Sequence, residues 1–311
     1  MTTKTITTTR NGTRPRTDDR DRLLQSFETA LEAAGLSPAT IRLYAHGVRR
    51  LYAHLRYMGL AAPLASVSAE HLREWLNAER RGGASPATIE ALHKAMRRFW
   101  AFLHEEGEVT ENVAARLRAP KAPVKVVQVL TGDELDALIR ACRRDKMILG
   151  LRDETIITVL LDTGLRASEL LSLNLEGLNR KERRALIMGK GARERLVAFE
   201  AKTIRLLDRY HRQADIGAGP LFRDRTGEPL SQAALYLAVR KRGEQAGLTR
   251  TMHPHVLRHT WATLLLQEGL REGDVRQLAG WSRSSRMLER YTQATAAERA
   301  LEARGRVRLV K

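Results

Sequence analysis

The sequence predicts a mainly α-helical chain with one small β-sheet, divided into an N-terminal helical domain and a larger α+β domain. Three observations lead there. Alanine, leucine and arginine recur throughout the 311 residues while aromatics make up only 5%, a bias toward helix. Ser37-Pro38-Ala39-Thr40-Ile41 returns as Ser85-Pro86-Ala87-Thr88-Ile89, an offset of 48 residues, so the first third repeats one helical unit. Only residues 184–199 alternate apolar and polar around a glycine-flanked turn, as a hairpin does.

Residues 1–18 are rich in Thr and Arg and have no apolar core, which predicts a flexible basic arm and excludes a secretory signal. A first helix is expected at about 19–34. Each copy of the repeat then opens with Ser at the cap and Pro at the first helical position, a strong helix start. Ile41, Val48, Leu51 and Leu55 form the apolar stripe of one copy, and Ile89, Leu92, Met96, Phe99 and Leu103 that of the other. Arg49-Arg50 echoes as Arg97-Arg98, and Tyr52 as Trp100. With a further helix at about 68–81, residues 19–118 read as two helical hairpins packed as a four-helix domain. Pro120 and Pro123, among lysines, mark a linker at 119–126. The second domain, 127–311, begins with a Thr131…Glu134 capping box. Asp153–Asp162 is apolar enough for a buried helix that Gly164 ends. The 184–199 hairpin follows, with Lys190 near its tip. Helices are expected at about 200–214, 231–246, 255–268, 271–279 and 284–291, and a last short one at 296–304.

The formal net charge is +18. Residues 1–123 hold 19 Lys+Arg against 13 Asp+Glu, a net +6, and residues 124–311 hold 35 against 23, a net +12. Both domains are basic, so the charge is no detachable tail. A polyanion touched by both is the natural partner, against the plain alternative of solubility. The single cysteine, Cys142, excludes a disulfide within the chain and fits a reducing cytoplasm, with packing as its expected role. No apolar run approaches a membrane span, so no membrane partner is expected.

Reactive residue types cluster late. Arg166 stands in Thr163-Gly164-Leu165-Arg166-Ala167-Ser168-Glu169-Leu170, Lys190 between two glycines, Arg258 in His255-x-x-Arg258-His259, and Tyr291 near the end. Two arginines can clamp a phosphate bidentately. Lysine and histidine can move protons, and tyrosine can be a covalent nucleophile. No carboxylate cluster of metal-ligand type accompanies them, a combination that suits phosphodiester cleavage without a metal. His253, His255 and His259 have no neighbouring Asp or Cys and share their segment with arginine, so neither zinc nor any other cofactor is expected.

In order and spacing, T-G-L-R-x-S-E-L, the hairpin lysine, H-P-H-x-L-R-H-T-x-A-T at 253–263, L-A-G-W at 278–281 and Tyr291 resemble the tyrosine recombinases, or phage integrase family, most closely its short Xer-like members. The resemblance covers roughly residues 20–300. It implies a SAM-like core-binding domain followed by a tyrosine-recombinase catalytic domain. It also implies a site-specific recombinase that cuts and rejoins DNA through a 3′-phosphotyrosyl link, without metal or ATP, in integration, excision or resolution. Arg166 and Arg258 would stabilise the phosphate, Tyr291 attack it, and Lys190 protonate the leaving 5′ oxygen. His255 would shuttle protons or support the phosphate. Trp281 would donate its indole N–H to a phosphate oxygen, or simply pack. Glu169 and His259 would hold the site in place. The Trp281–Tyr291 interval is ten residues, one longer than the family's usual pattern, and the polar 282–286 stretch can absorb the extra residue as loop.

In the family, helices equivalent to the two repeat copies grip DNA. That implies DNA contacts for Thr40, Arg42, Arg49, Arg50, Lys94, Arg97 and Arg98, with Arg193 and Arg195 of the hairpin adding phosphate contacts. The plain alternative is a solvated face, which Glu90, Lys94 and Arg98 at four-residue spacing would also serve. The implied partners are double-stranded DNA with specific sites and further copies of the chain, a tetramer on DNA with Ala297–Arg304 docking on a neighbour. The resemblance leaves room for an accessory protein that sets direction. The alternatives are a non-catalytic DNA-binding protein of recombinase descent and a type IB topoisomerase-like enzyme.

Overall fold

The computed structural model describes residues 17–60, 63–120, 129–188 and 194–282. The chain packs as two compact units, Met1–Val124 and Lys125–Lys311. Residues 1–16 of the expected arm, most of the linker, the hairpin tip with Lys190 and Arg193, Tyr291 and the two last expected helices lie outside the described residues, and residues 17–18 begin α1 instead.

The first unit is built of α1 (Thr17–Ala33), α2 (Pro38–Tyr57), α3 (Ala69–Arg81) and α4 (Pro86–Glu105). Ser37 and Ser85 cap α2 and α4 as the repeat predicts, each accepting from the N–H three residues on, with Pro at the first helical position. The apolar stripes face one core around Phe27, Leu51, Leu55, Trp75, Phe99 and Trp100. Phe27 meets Phe99 edge-on, 5.1 Å between centroids. The two repeat helices cross at Gly47 and Ala95, where a Cβ on Gly47 would lie 2.9 Å from the Ala95 methyl.

The second unit holds α5 (Gly132–Arg144), α6 (Ile148–Thr163), α7 (Ala167–Leu171), the strands β1 (Leu178–Asn179), β2 (Arg184–Met188) and β3 (Glu194–Ala198), then α8 (Ala201–Gln213), α9 (Gln232–Gln245), α10 (Pro254–Gln267) and α11 (Glu272–Ala279). The Thr131–Glu134 capping box opens α5. Helix α6 is buried on nearly every face, its buried Arg152, Asp153 and Glu154 held in ion pairs, and α5, α8, α9 and α10 surround it. It begins five residues before the expected Asp153 and ends on Gly164 in the left-handed region. The sheet is antiparallel in the order β1-β2-β3, with Leu186 opposite Leu196. Strand β1 and helix α7 are additions to the elements expected from sequence. Cys142 is buried in the core of this unit.

A smaller apolar cluster of Trp261, Ala262, Leu266, Val275 and Ala279 fastens α11 onto α10, with Trp281 packed against it. This contact sets the position of the carbonyl end of α11. The mainly helical architecture with a three-stranded sheet agrees with the fold class read from sequence. Among the described residues no helix is long and apolar enough to cross a membrane.

Candidate active site

Arg166 is the N-cap residue of α7, set immediately after the turn that ends α6. Its backbone N–H donates to Glu169 Oε2 (2.8 Å) and its Nη1 to Glu169 Oε1 (2.6 Å). Arg195, from β3, donates Nη2 to Glu169 Oε2 at 3.0 Å. Arg258, from α10, brings Nη1 to 4.0 Å from that same oxygen. One carboxylate, 3% exposed, therefore gathers three guanidiniums from three separate elements.

The end of α11 holds them from the other side. Arg195 Nη1 donates to Leu278 O (2.6 Å), Arg258 Nη2 to Ala279 O, and Arg166 Nη2 to Gly280 O (3.1 Å). Three consecutive carbonyls thus receive the three arginines. These are the carbonyls a helix leaves without partners inside itself, and they carry the negative end of its dipole. Arg258 Nη1 also donates to Gly164 O, so the turn after α6 is part of the same cradle. Trp281 lies over Arg258, its ring centroid 5.4 Å from Cζ.

Two glycines make this closeness possible. Gly164 (φ 60°) lies flat under Trp261, and a Cβ there would fall 2.2 Å from the indole. Gly280 (φ 61°) caps α11, and its Cβ would sit 3.1 Å from Arg195 Nε. Gly280→Ala is expected to lose about 1–2 kcal/mol to left-handed backbone strain and to displace Arg195. Thermal melting should show the first effect and strand-cleavage rates the second, a loss of roughly tenfold to a hundredfold.

Burial alone would raise the Glu169 carboxyl. The Arg166 N–H, the charge of Arg195 and the Arg166 side chain outweigh it and hold the carboxyl below its ordinary range. Burial lowers the Arg195 guanidinium, and Glu169 opposes that shift. The His255 imidazole is held below its ordinary value by partial removal from water, then by His253, Arg258 and Arg166. His255 and His259 occupy successive turns of α10 with ring centroids 6.3 Å apart. With three guanidiniums against one carboxylate the cluster is net cationic. A quarter of the Arg166 side chain is open to solvent, so its remaining N–H groups can reach a phosphate.

The structure therefore brings together Arg166, Glu169, His255, Arg258, His259 and Trp281. Arg195, assigned to DNA phosphate from its place in the hairpin, instead turns inward and braces Glu169 and α11. Its parity in β3 with the buried Val197 is the sequence signal for that direction. The sequence marks Gly164 as the end of α6, as found, but neither its approach to Trp261 nor the parts played by Gly280 and Trp261 is read from it.

In the first unit, the expected DNA-contacting residues fall into two groups. Thr40 bonds within the α2 cap, its hydroxyl 2.9 Å from Ser37 Oγ. Arg49 pairs with Glu28 of α1 (2.8 Å) and Lys94 with Glu90 (2.6 Å). Arg50 is half-buried and donates Nε to Glu79 of α3 (3.0 Å), which also accepts from Trp75. Arg42, Arg97 and Arg98 are exposed, and among the described residues they make no ion pair.

Residues 128–298 match the phage integrase family, and residues 24–107 match the phage integrase N-terminal SAM-like domain. The chain belongs to the phage integrase family. As a member it is a site-specific recombinase of the tyrosine type. It is 33% identical to the tyrosine recombinase XerC of Xanthomonas axonopodis pv. citri (strain 306) over 222 residues, 71% of this chain and 72% of that protein. It is 31% identical to XerC of Xylella fastidiosa (strain M23) over 257 residues, 82% and 85% of the two chains. The fold of this family member is also that of solved structures. The post-cleavage complex of XerH bound to palindromic difH superposes with a TM-score of 0.70 at 24% identity, covering 92% of this chain and 84% of that one. A lambda integrase dimer on a COC′ core site gives 0.71 at 19% identity, covering 94% and 79%.

Proposed function

We propose that this recombinase cleaves and rejoins DNA strands through a 3′-phosphotyrosyl intermediate at Tyr291, with neither metal nor nucleotide. The observation that supports this most is the meeting of Arg166 and Arg258. They lie 92 residues apart in sequence yet share Glu169 and two adjacent carbonyls, directly before Trp281. Charge that develops on the non-bridging oxygens of a phosphodiester meets fixed donors there, which favours the transition state over the ground state.

In this reading the Tyr291 oxygen attacks phosphorus and gives up its proton, which the neutral His255 can take. The bond to the 5′ oxygen breaks, and Lys190 returns a proton to that oxygen. The phosphotyrosine keeps the bond energy, so a 5′-hydroxyl from a second duplex can attack it and release Tyr291. Arg42, Arg97 and Arg98 add phosphate contacts from the first unit. Recombination requires several protomers, and the segment 297–304 is assigned to docking between them. A lambda integrase tetramer on a Holliday junction shares the fold, with a TM-score of 0.70 at 18% identity.

Tyr291→Phe tests the reading. Wild-type protein incubated with fragmented DNA carrying nicks should trap covalent adducts, and sequencing them yields the recognition site. The Phe variant should form no adduct, because the covalent link needs the phenolic oxygen, while binding that site with unchanged affinity in a mobility-shift assay. Adducts that persist in the variant would remove Tyr291 as nucleophile.

A further inference from the structure

We propose that His253 is a positioning residue for His255, holding that imidazole against the phosphate site and in its proton-accepting form. The proposal builds on the reading of His255 as the group that takes the Tyr291 proton.

Three local features point to it, and the first two are unfavourable on their own. The first is the cap. Helices α2, α3, α4, α5 and α9 all begin at a Ser or Thr whose side chain accepts a backbone N–H, at Ser37, Ser68, Ser85, Thr131 and Ser231. Helix α10 begins at His253, which has the extended backbone of a cap residue but, like the starts of α6, α8 and α11, makes no side-chain capping bond. A missing cap costs about 1 kcal/mol. The second is a buried atom. His253 Nδ1 is shut off from solvent and has no hydrogen-bond partner, an exception that needs a reason. The third is the ring's placement. It stacks on Tyr236 of α9 (6.5 Å between centroids, planes at 12°) and stands edge-on to His255 (6.2 Å, 70°). The imidazole that could cap its own helix is instead wedged between an aromatic backing and the site histidine. Pro254, the first residue of α10, fixes the backbone between the two histidines.

The chemistry follows from the wedge. Burial disfavours a proton on His253. Partial burial first, then His253 and Arg258 on its own helix segment and Arg166 from α7, disfavour a proton on His255, and the His259 ring stands 6.3 Å away on the next turn. Imidazoles this close titrate as a coupled set, so a proton on one opposes a proton on the next. Removing His253 would delete a competing site for the proton beside His255, whose ring already meets solvent. That lets His255 bind its proton at higher pH, and a protonated His255 cannot accept from Tyr291.

His253→Ser is the decisive variant because it restores the capping residue used elsewhere in the chain. The protein should melt at the same temperature as wild type or higher. With histidine labelled at Cε1 and the His255 signal assigned by its absence in His255→Asn, NMR on the free protein should show His255 titrating at higher pH than in wild type. On the duplex recovered by covalent trapping, single-turnover cleavage near neutrality should fall roughly tenfold, with its acid limb displaced to higher pH. An unmoved His255 titration with an unmoved acid limb would overturn the proposal, as would a cleavage loss that merely follows a lower melting temperature. The His255→Asn variant separates the two readings. Full cleavage by that variant would remove His255 from the reaction, whereas its loss of cleavage beside a wild-type His253→Ser would sink the positioning role alone.

Discussion

Glu169→Gln is expected to lower strand cleavage at least ~100-fold and to destabilise the catalytic unit by about 3 kcal/mol. The substitution keeps shape and removes one charge, so packing is not in question. Glu169 Oε1 and Oε2 together accept from the Arg166 backbone, the Arg166 side chain and Arg195, with Arg258 close by. A glutamine offers one acceptor oxygen and presents an NH₂ group to a guanidinium that also can only donate. Three mutually repelling cations would be left without their counter-charge in a mostly buried cluster. Calorimetry reads the stability change, and single-turnover cleavage reads the misplacement of Arg166 and Arg258. The same carboxylate makes an acid-side prediction. Its folded pKa lies below its unfolded value, so its stabilisation is complete above about pH 4.3 and disappears as the pH falls through the depressed folded value. The Gln variant should lack that portion of the acid transition. If Glu169→Gln cleaved DNA at the wild-type rate, the carboxylate would not be what assembles the arginines.

Gly164→Ala should be severely damaging for the addition of a single methyl. The backbone at φ 60° costs a non-glycine residue about 1–2 kcal/mol, and the new Cβ would fall 2.2 Å from the Trp261 ring. Something must move. Trp261 is anchored by its Nε1 donating to Asp162 O (3.1 Å), and Arg258 lies three residues before it on α10, donating to Gly164 O. Pushing the ring away tilts α10 from the turn and carries Arg258 off its carbonyl. Stability should fall by about 3 kcal/mol or more, strain and overpacking together, and cleavage about 100-fold or more. Gly164→Ala combined with Trp261→Ala should recover part of the stability, since the ring is what the methyl strikes. Strict additivity of the two single losses would show that the contact is not the cause.

What the sequence makes legible is local chemistry, and what it hides is tertiary. The Ser-Pro starts of α2 and α4 and the Thr131–Glu134 box are self-contained within four residues, so they appear in the structure where the sequence places them. The apolar stripes of the repeat likewise need only helical geometry. Strand β1 is two residues long and exists through its pairing with β2, so no periodicity can announce it. Helix α7 is five residues, held by Glu169 reaching back to the Arg166 N–H, and a cap residue of arginine type is not a signal one searches for. The arginines of the site were visible as residue types at family spacing. Their meeting on one carboxylate and three successive carbonyls was not, because it depends on where α11 docks against α10. Arg195 shows the intermediate case. Its parity with Val197 and Phe199 was readable in the hairpin, yet its charge argued for solvent, and only the buried Glu169 on that face reconciles the two.

The crossing of α2 and α4 carries one more consequence. Gly47 and Ala95 are separated by the same 48 residues as every other pair of repeat counterparts, so the helices touch where a residue meets its own image. Two methyl groups at this spacing would collide. The two copies can meet at this point only by ceasing to match there, and the missing methyl at Gly47 is the difference that lets the repeat pack against itself.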